Sequence, residues 1–441
     1  MQLKSCCIYS IGVFSILLLI SGIVLVLSNV FPLLTQSLVE KEVVLRNGTE
    51  AFEAWKNPPA PIYMQFYFFN LTNPLEVLDG DRPAVVEIGP YTYREYRPME
   101  QVDFQDNGTK VAAVNTKTYI FQPNMSRGPE SELIRTVNIP AMTVMEQFKD
   151  QPLIANLIAA YMRSADEGLF STHTVGELLW GYEDALLKAL KTLKPDLDDV
   201  FGLFHKNNGS NDGQYVFFTG HQSYQDFARV DTWNGDRSLY AVYEEDVTVK
   251  GIPAYRFSPP SDVFANHTVN PANAGFCVPI GNCLGSGVLN VSPCKQGAPI
   301  VMSSPHFYQA DEKYVQGVFG MRPQKEQHQT VIDINPFTGI IVQAAKRLQI
   351  NVFVEKIPGF SETGNARTVL IPVVYLNESA LIDDVSAAKL HKIIVQQNVV
   401  VNIPFLFIGL AIILGGVFMF LMCRQKVPES SAAERQPLLS S

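Results

Sequence analysis

Two long apolar runs lie near the ends of the chain, and shorter alternating stretches lie between them. The first run, residues 8–30, contains no charged residue, and the second covers residues 399–422. Each is long enough for a helix that crosses about 30 Å of hydrocarbon. A cleaved signal peptide is the alternative for the first run, but the apolar cores of signal peptides are shorter. The pattern predicts a transmembrane helix at each end, with Pro404 near the start of the second, where a helix tolerates proline.

Positive charges flank both runs on their outer sides. Lys4 precedes the first run, and Arg424 and Lys426 follow the second. Because basic residues favour the cytosolic side, both termini are expected in the cytosol. The predicted segments are a cytosolic N-terminus (1–7), a transmembrane helix (8–30), a lumenal domain (31–398), a second transmembrane helix (399–422) and a cytosolic tail (423–441).

Asparagine sequons support the same topology. All of the Asn-x-Ser/Thr sequons lie between the two runs, at Asn47, Asn70, Asn107, Asn124, Asn208, Asn266, Asn290 and Asn377. One sequon is weak evidence because the pattern is short, whereas this many in one segment indicate a glycosylated lumenal domain. Some of them are equally explained as turn asparagines. Asn290 is the weakest candidate, because Pro293 follows its Ser292.

The middle of the chain has the pattern of a mainly antiparallel β domain. Its β-branched and aromatic stretches are separated by turns rich in Gly, Asn, Asp and Pro. The predicted strands fall in residues 61–72, 110–123, 213–220, 239–257, 319–357 (broken by turns) and 366–376.

Residues 152–193 have a helical period instead. The apolar face of the first helix consists of Leu153, Ile154, Leu157, Ile158, Tyr161 and Met162. A second helix is predicted from Thr174, which forms a capping box with Glu177, to the region of Pro195. Such faces pack on each other or on the sheet, or form a partner-docking surface. Periodicity alone favours packing.

Composition and charge exclude one class of partner. The chain has 441 residues, of which 47% are hydrophobic and 17% charged, and its net charge is −9. This length suits one large domain with appendages. The negative charge argues against nucleic-acid binding.

The lumenal cysteines form an odd group. Cys277 and Cys283 are six residues apart across Pro279 and Gly281, so a local disulfide is predicted and Cys294 is left unpaired. A zinc site is the disfavoured alternative, because no C-x-x-C pair is present.

The remaining cysteines lie beside the predicted spans. Cys6, Cys7 and Cys423 are candidates for palmitoylation at the cytosolic membrane face, or they simply fill apolar positions there.

No catalytic motif is found. The chain lacks H-E-x-x-H, G-x-S-x-G and the P-loop pattern, and its seven histidines are scattered. His173 and His306 have apolar or aromatic neighbours and are interpreted as structural, although each can change charge near pH 5–6. We therefore expect neither an enzyme nor a bound cofactor or metal.

The C-terminal tail carries a sorting pattern. Glu434 lies four residues before Leu438, and Leu439 directly follows Leu438. This arrangement is that of an acidic dileucine signal, in which two leucines enter an apolar pocket of a clathrin adaptor and the carboxylate meets a basic patch.

Several motifs together resemble the class B scavenger receptors. They are "QFYFFNLTNP" (65–74), "EIGPYTYRE" (87–95), "GIPAYRF" (251–257), "AGFCVPIGNCLGSGVLNVSPC" (274–294), "SSPHFYQAD" (303–311) and "DINPFTGIIVQAAKRLQIN" (333–351). The likeness covers nearly the whole chain. "THTVGELLWGYEDALL" (172–187), the sequons and the tail most resemble the lysosomal branch of the family.

The resemblance implies an α+β fold, with an antiparallel β-barrel-like ectodomain, an apical helical bundle and an apolar tunnel. It also implies a receptor that binds β-glucocerebrosidase in the endoplasmic reticulum, carries it to lysosomes and releases it in acid. The docking helix would be residues 152–162, the tunnel would hold cholesterol or another lipid, and a homodimer is one candidate assembly. The alternative within the family is a cell-surface receptor for lipoprotein or lipid uptake.

The chain departs from the family pattern in two places. Relatives carry a histidine near the start of the docking helix, whereas residues 141–170 contain none. Relatives also have a few dozen extra residues between the equivalents of 232–238 and 239–246, including the cysteine that pairs with the position of Cys294. An exon-skipped isoform or a gene-model error would produce this. We expect exposed sheet edges, the loss of a bridge that contributes about 2–5 kcal/mol, and poor folding.

Overall fold

The computed structural model describes residues 2–31, 43–192, 197–233 and 241–425, together with residues 33, 37, 40 and 195. The chain divides into two compact units, which are treated separately below. One comprises Met1–Val43 and Ala388–Ser441, and the other comprises Val44–Ala387.

Strands make up most of the larger unit. In chain order they are β1 (Ile62–Leu71), β2 (Val85–Tyr96), β3 (Met99–Gln105), β4 (Lys110–Asn115), β5 (Thr118–Phe121), β6 (Leu133–Val137), β7 (Phe170–Thr174), β8 (Tyr182–Glu183), β9 (Val200–Phe201), β10 (Gln214–Phe218), β11 (Val230–Trp233), β12 (Val242–Val249), β13 (Ile252–Ser258), β14 (Val288–Asn290), β15 (Ile300–Ser303), β16 (Val331–Ile334), β17 (Ile341–Val354) and β18 (Val369–Leu381).

The α-helices are α1 (Gln2–Leu27), α2 (Glu50–Lys56), α3 (Pro74–Leu78), α4 (Ile139–Phe148), α5 (Pro152–Ser164), α6 (Val175–Trp180), α7 (Ala185–Lys191), α8 (Glu312–Gly317), α9 (Lys325–His328) and α10 (Asp384–Gln425).

A ten-stranded antiparallel sheet organises the larger unit. Its main path runs β12-β13-β16-β17-β18-β1-β2-β5, and β14 and β15 join at β17. Aromatic residues of β1 and β2 cover one face, where Phe66, Phe68 and Tyr91 are fully buried. Helices α4 to α7 contribute Met142, Met162 and other apolar side chains to the same core. The sheet therefore provides the floor on which the helical bundle packs.

The bundle confirms the first predicted helix and corrects the second. α5 begins at Pro152, as the pattern predicts. The capping box of Thr174 and Glu177 is present, but α6 ends at Trp180, because Gly181 adopts φ +124. Asp184 then caps a separate helix, α7, by accepting a hydrogen bond from the Leu187 amide at 2.9 Å.

Two predicted strand stretches also need correction. Residues 110–123 form β4 and β5, which belong to different sheets. In residues 319–357 the strands begin only at β16, and α9 occupies part of the preceding segment. Its side-chain pattern did not distinguish a short helical turn from a strand end.

The β-barrel expected from the family resemblance is not closed in the part of the chain that the structure describes. The ten-stranded sheet ends at β12, and a smaller sheet of order β11-β10-β4-β3 ends at β11. These two edge strands flank residues 234–240, where the sequence indicates the missing family segment.

The smaller unit contains two helices that are long and apolar enough to span a membrane. The candidate spans fall in Ile8–Leu27 and Asp384–Arg424. Within this unit Ser15 donates a hydrogen bond from Oγ to the Ala411 carbonyl at 2.8 Å. The expected position of Pro404 was wrong, because α10 begins at Asp384 and Pro404 lies inside it.

Candidate docking surface and accompanying sites

Helix α5 presents an apolar surface to solvent. Leu153 is 83% exposed and Leu157 is 73% exposed, while Ile154 is 37% exposed. Leu153 and Leu157 are four residues apart and therefore lie on one helical face. Two exposed leucines one turn apart form a contiguous apolar patch, which we call the α5 patch (Leu153, Ile154 and Leu157).

The other predicted residues of this helix serve the core. Ile158 and Met162 are buried together with Ala155 and Ala159. Tyr161 is partly buried and donates its hydroxyl proton to the Ala185 carbonyl at 3.0 Å, which ties α5 to α7. The six residues predicted as one face are thus divided between packing and exposure. The two alanines at i and i+4 were the overlooked signal, because small residues permit close helix packing.

Polar contacts fix the C-terminal end of α5, and an ion cluster precedes its N-terminal end in the chain. At the C-terminal end Arg163 lies 3.4 Å from Glu362 and 3.3 Å from the Ser361 hydroxyl. Before the N-terminal end, Lys149 pairs with Glu146 and lies 3.8 Å from Glu355. The hydrogen bond to Glu146 raises the pKa of Lys149. The patch is therefore held on a positioned helix, with a lysine-centred ion cluster beside its first turn.

His173 on β7 lies beside the helical bundle. Its ring stacks on Tyr182 with 3.8 Å between the ring centroids, and burial lowers its pKa. Asp184 lies nearby, and burial raises the pKa of that carboxyl. Burial therefore favours the neutral form of both groups.

The lumenal cysteines form one disulfide. Cys277 and Cys283 are joined with an S–S distance of 2.02 Å, and Cys294 is free and exposed. His267 has a ring nitrogen within 4.8 Å of both sulfur atoms. The disulfide removes both thiolates as metal ligands, so this group does not constitute a zinc site in this state.

The remaining predicted sites differ in exposure. Cys423 is exposed near the end of α10. The side chains of Cys6 and Cys7 and the sorting residues Glu434, Leu438 and Leu439 lie outside the described residues.

Four sequon asparagines are exposed, and four are partly buried. The exposed ones are Asn47, Asn107, Asn124 and Asn208, and the partly buried ones are Asn70, Asn266, Asn290 and Asn377. Asn70 accepts a hydrogen bond from the Arg135 amide at 2.8 Å, and Asn377 donates one to Gln65 at 3.0 Å. The exposed group offers access to a glycan, although Asn208 also accepts a hydrogen bond from the Tyr119 amide at 3.1 Å.

A large antiparallel domain flanked in the chain by two apolar helices fits a membrane protein with two spans, and the comparisons identify its family. The profile of the CD36 family matches residues 13–239 and 236–422, and the chain belongs to this family. Its relatives include lysosome membrane protein 2 of Homo sapiens, 45% identical over 477 aligned positions that cover 98% of this chain and 99% of the relative. The same protein of Rattus norvegicus is also 45% identical over 477 positions.

A more distant relative is scavenger receptor class B member 1 of Sus scrofa, which is 33% identical over 418 positions, or 85% of this chain and 81% of the relative. The family and the lysosomal branch expected from the motifs are both confirmed. These relatives are named as membrane proteins and receptors rather than as enzymes. Together with the two apolar helices, they fit a lysosomal two-pass membrane protein.

The alignments also locate the internal deletion. The match to the human relative spans 477 positions although the chain has 441 residues, so at least 36 positions have no counterpart here. The two pieces of the family match meet at residues 236–239. This is the junction between Ser238 and Leu239 that the sequence motifs indicate.

Proposed function

We propose that this protein is a lysosomal membrane receptor that binds β-glucocerebrosidase in the endoplasmic reticulum and targets it to lysosomes. The observation that carries the proposal is the α5 patch, where Leu153 and Leu157 are 83% and 73% exposed on a helix whose opposite side is buried. An apolar helix face that its own domain leaves uncovered suits docking of a protein partner.

Burial of the two leucines would supply much of the binding energy. Removing one leucine side chain from water contributes about 1.5–3 kcal/mol. The ion cluster around Lys149 precedes α5 in the chain, and in this proposal it borders the patch, where charge favours orientation more than affinity. The patch is thus the apolar centre of the proposed interface, and the cluster is its polar border.

Release in acid needs a group other than a histidine on α5. Glu146 holds Lys149, which also lies near Glu355. We assign acid release to the carboxylates that precede α5, Glu146 and Asp150, or to a change on the cargo.

The rest of the chain serves transport in this proposal. Both termini are cytosolic, and the domain between residues 31 and 398 is lumenal and glycosylated. The tail signal of Glu434, Leu438 and Leu439 recruits clathrin adaptors, and palmitoylation of Cys6, Cys7 and Cys423 anchors the membrane faces. As in its family, an apolar tunnel in the ectodomain would bind or transfer cholesterol or another lipid.

Substitution at the α5 patch tests the cargo proposal. The double variant Leu153→Asp/Leu157→Asp of the full chain in detergent should bind purified β-glucocerebrosidase at least 10-fold more weakly at pH 7, because 1.4 kcal/mol corresponds to tenfold. Leu75→Asp is the matched control, since Leu75 is 72% exposed on α3. Equal binding by the double variant and the control would refute docking through this patch.

The alternative function is that of a cell-surface receptor for lipoprotein or lipid uptake. The relationship to scavenger receptor class B member 1 favours it. Replacing Leu438 and Leu439 by alanine should move a lysosomal receptor to the cell surface and leave a surface receptor where it is. Immunolocalisation of the parent chain and of the double variant distinguishes a lysosomal receptor from a cell-surface receptor.

A further inference from the structure

Two buried histidines from different segments are stacked in the larger unit. His306 is 4% exposed and His328 is 3% exposed. Their rings are nearly parallel, with 4.5 Å between the centroids and 13° between the planes. Neither histidine contributes to the α5 patch. A buried pair of titratable rings that the proposed function does not use needs a separate explanation.

Both rings hold the same surface segment through backbone hydrogen bonds. The Arg322 amide donates to Nδ1 of His306 at 3.0 Å. The Gln324 amide donates to Nδ1 of His328 at 2.9 Å. Pro323 lies between them and has no amide proton. Both backbone amides of residues 322–324 therefore donate their hydrogen bonds to imidazole nitrogens. The side chains of these residues are exposed.

These bonds define the protonation state of both rings. A nitrogen that accepts a hydrogen bond carries no proton, so both Nδ1 atoms are bare. Nε2 of His306 lies 2.7 Å from Oε2 of Glu87 and donates to it. A second proton on His328 would enter at Nδ1, where the Gln324 N–H already points.

The charged and titratable groups around the pair come from four strands. Glu87 on β2 also accepts the hydroxyl proton of Tyr375 on β18 at 3.3 Å. Tyr67 on β1 stacks on Tyr375. The positive charge of Arg347 on β17 lies close enough to disfavour a positive charge on His328. One carboxylate therefore faces the two rings, which provides a counterion for one imidazolium but not for two.

We propose that His306 and His328 form a proton-operated latch that holds residues 322–324 at neutral pH and releases them in acid. Protonation of Nδ1 of His328 converts an acceptor into a donor and sets its N–H against that of Gln324. The segment then loses this anchor and detaches from the histidine pair. The latch is independent of cargo binding through the α5 patch.

The direction of the pH effect follows from proton linkage. Burial, and then the neighbouring His306, lowers the pKa of His328 to about 4 from an ordinary value of 6.5. The latched form thus binds a proton less readily than the released form, in which the ring meets water. Release is favoured as pH falls below 6.5 and levels off near 4. Between pH 7.2 and pH 5.0, His328 alone shifts the equilibrium about 25-fold toward release.

Amide hydrogen exchange of the full chain in detergent micelles tests the latch. We expect the protection factors of the Arg322 and Gln324 amides, corrected for the intrinsic pH dependence of exchange, to fall about 25-fold or more from pH 7.2 to pH 5.0. Amides within β17 (Ile341–Val354) should keep their protection. Unchanged protection of residues 322 and 324, or an equal loss throughout β17, would overturn the proposal.

A substitution separates proton uptake from packing. In His328→Asn the amide oxygen can replace Nδ1 as acceptor but does not titrate, so the Gln324 amide should lose most of its pH response. His221→Asn, at an exposed site, is the control and should respond as the parent does. An undiminished response in a folded His328→Asn chain would rule the latch out. If that variant does not fold, the protection ratio of the parent chain decides.

Discussion

Gly281 and Gly287 share the same left-handed backbone but have different surroundings. Their φ values are +87 and +88. A Cβ on Gly287 would lie 2.1 Å from the Cα of Ala310, whereas one on Gly281 would have no atom within 4 Å. Gly287 therefore requires glycine both for its backbone angle and for the close approach of Ala310, whereas Gly281 requires it for the angle alone.

Alanine substitutions at these two glycines should differ in cost. Gly281→Ala should lower the free energy of unfolding by about 1 kcal/mol, because only the left-handed angle is strained. Gly287→Ala should cost roughly 2–4 kcal/mol, because the backbone at Ala310 must also move. Thermal unfolding of the full chain in detergent, followed by intrinsic fluorescence, measures both. Equal shifts in Tm would show that the loop adapts freely around residue 310.

At the scale of elements, a buried ion network joins two strands across a third. Arg97, which follows β2, pairs with Glu378 of β18 and donates to Glu95 of β2 at 2.7 Å. Burial, and then Glu378, raises the pKa of Glu95, and its second oxygen has no hydrogen-bond partner. Burial opposes the charge on Glu378, but Arg97 and Lys346 outweigh it and lower its pKa. One guanidinium thus stabilises two carboxylates that would otherwise repel each other.

Removing that guanidinium should destabilise the domain most at neutral pH. Arg97→Met should cost roughly 3–5 kcal/mol at pH 7, because it leaves the buried Glu95 unpaired and Glu378 with Lys346 alone, 3.7 Å away. A carboxyl with a raised pKa binds a proton more readily in the folded chain, so the cost should shrink as pH falls to 5. Tm values at both pH values measure the difference.

Arg127→Met provides the comparison for this network. Arg127 lies 3.9 Å from Glu132 at a more exposed site, so its loss should cost at most about 1 kcal/mol. A cost for Arg97→Met that does not change between pH 7 and pH 5 would contradict the assigned role of Glu95.

At the scale of the whole molecule, the deletion leaves two sheet edges close to exposed apolar side chains. β11 and β12 are edge strands of different sheets. Trp233 at the end of β11 is 42% exposed, and Tyr243 in β12 is 55% exposed. Cys294 is also free. Unpaired strand edges favour aggregation, so the shortened domain has the features of a chain that folds inefficiently.

Glycan maturation in cells tests this hypothesis. We expect the glycans of this chain to remain sensitive to endoglycosidase H, because quality control retains incompletely folded proteins in the endoplasmic reticulum. Leu438→Ala/Leu439→Ala should then change nothing, and the transport proposed above would belong to a longer form of this chain that contains the missing segment. Resistant glycans with lysosomal location in the parent chain, and surface location in the double variant, would instead show that the shortened domain folds and that the tail sorts it.

Local patterns in the sequence determined much of the architecture. The apolar runs, the β1 and β10 strands, the start of α5 and the capping box at Thr174 were predictable, because each depends on residues adjacent in the chain. The family motifs identified the lysosomal branch and located the deletion. Short-range information was sufficient for these features.

The tertiary structure decided which of these residues are available for function. Leu157 and Ile158 are equally apolar in sequence, but only the position of α5 on the sheet exposes one and buries the other. Gly181 ends α6 because its backbone adopts φ +124, an angle that composition does not reveal. His306 and His328 meet, and with them the proposed latch forms, because chain folding brings separate segments together. Burial and long-range proximity depend on the whole fold, which no local pattern specifies.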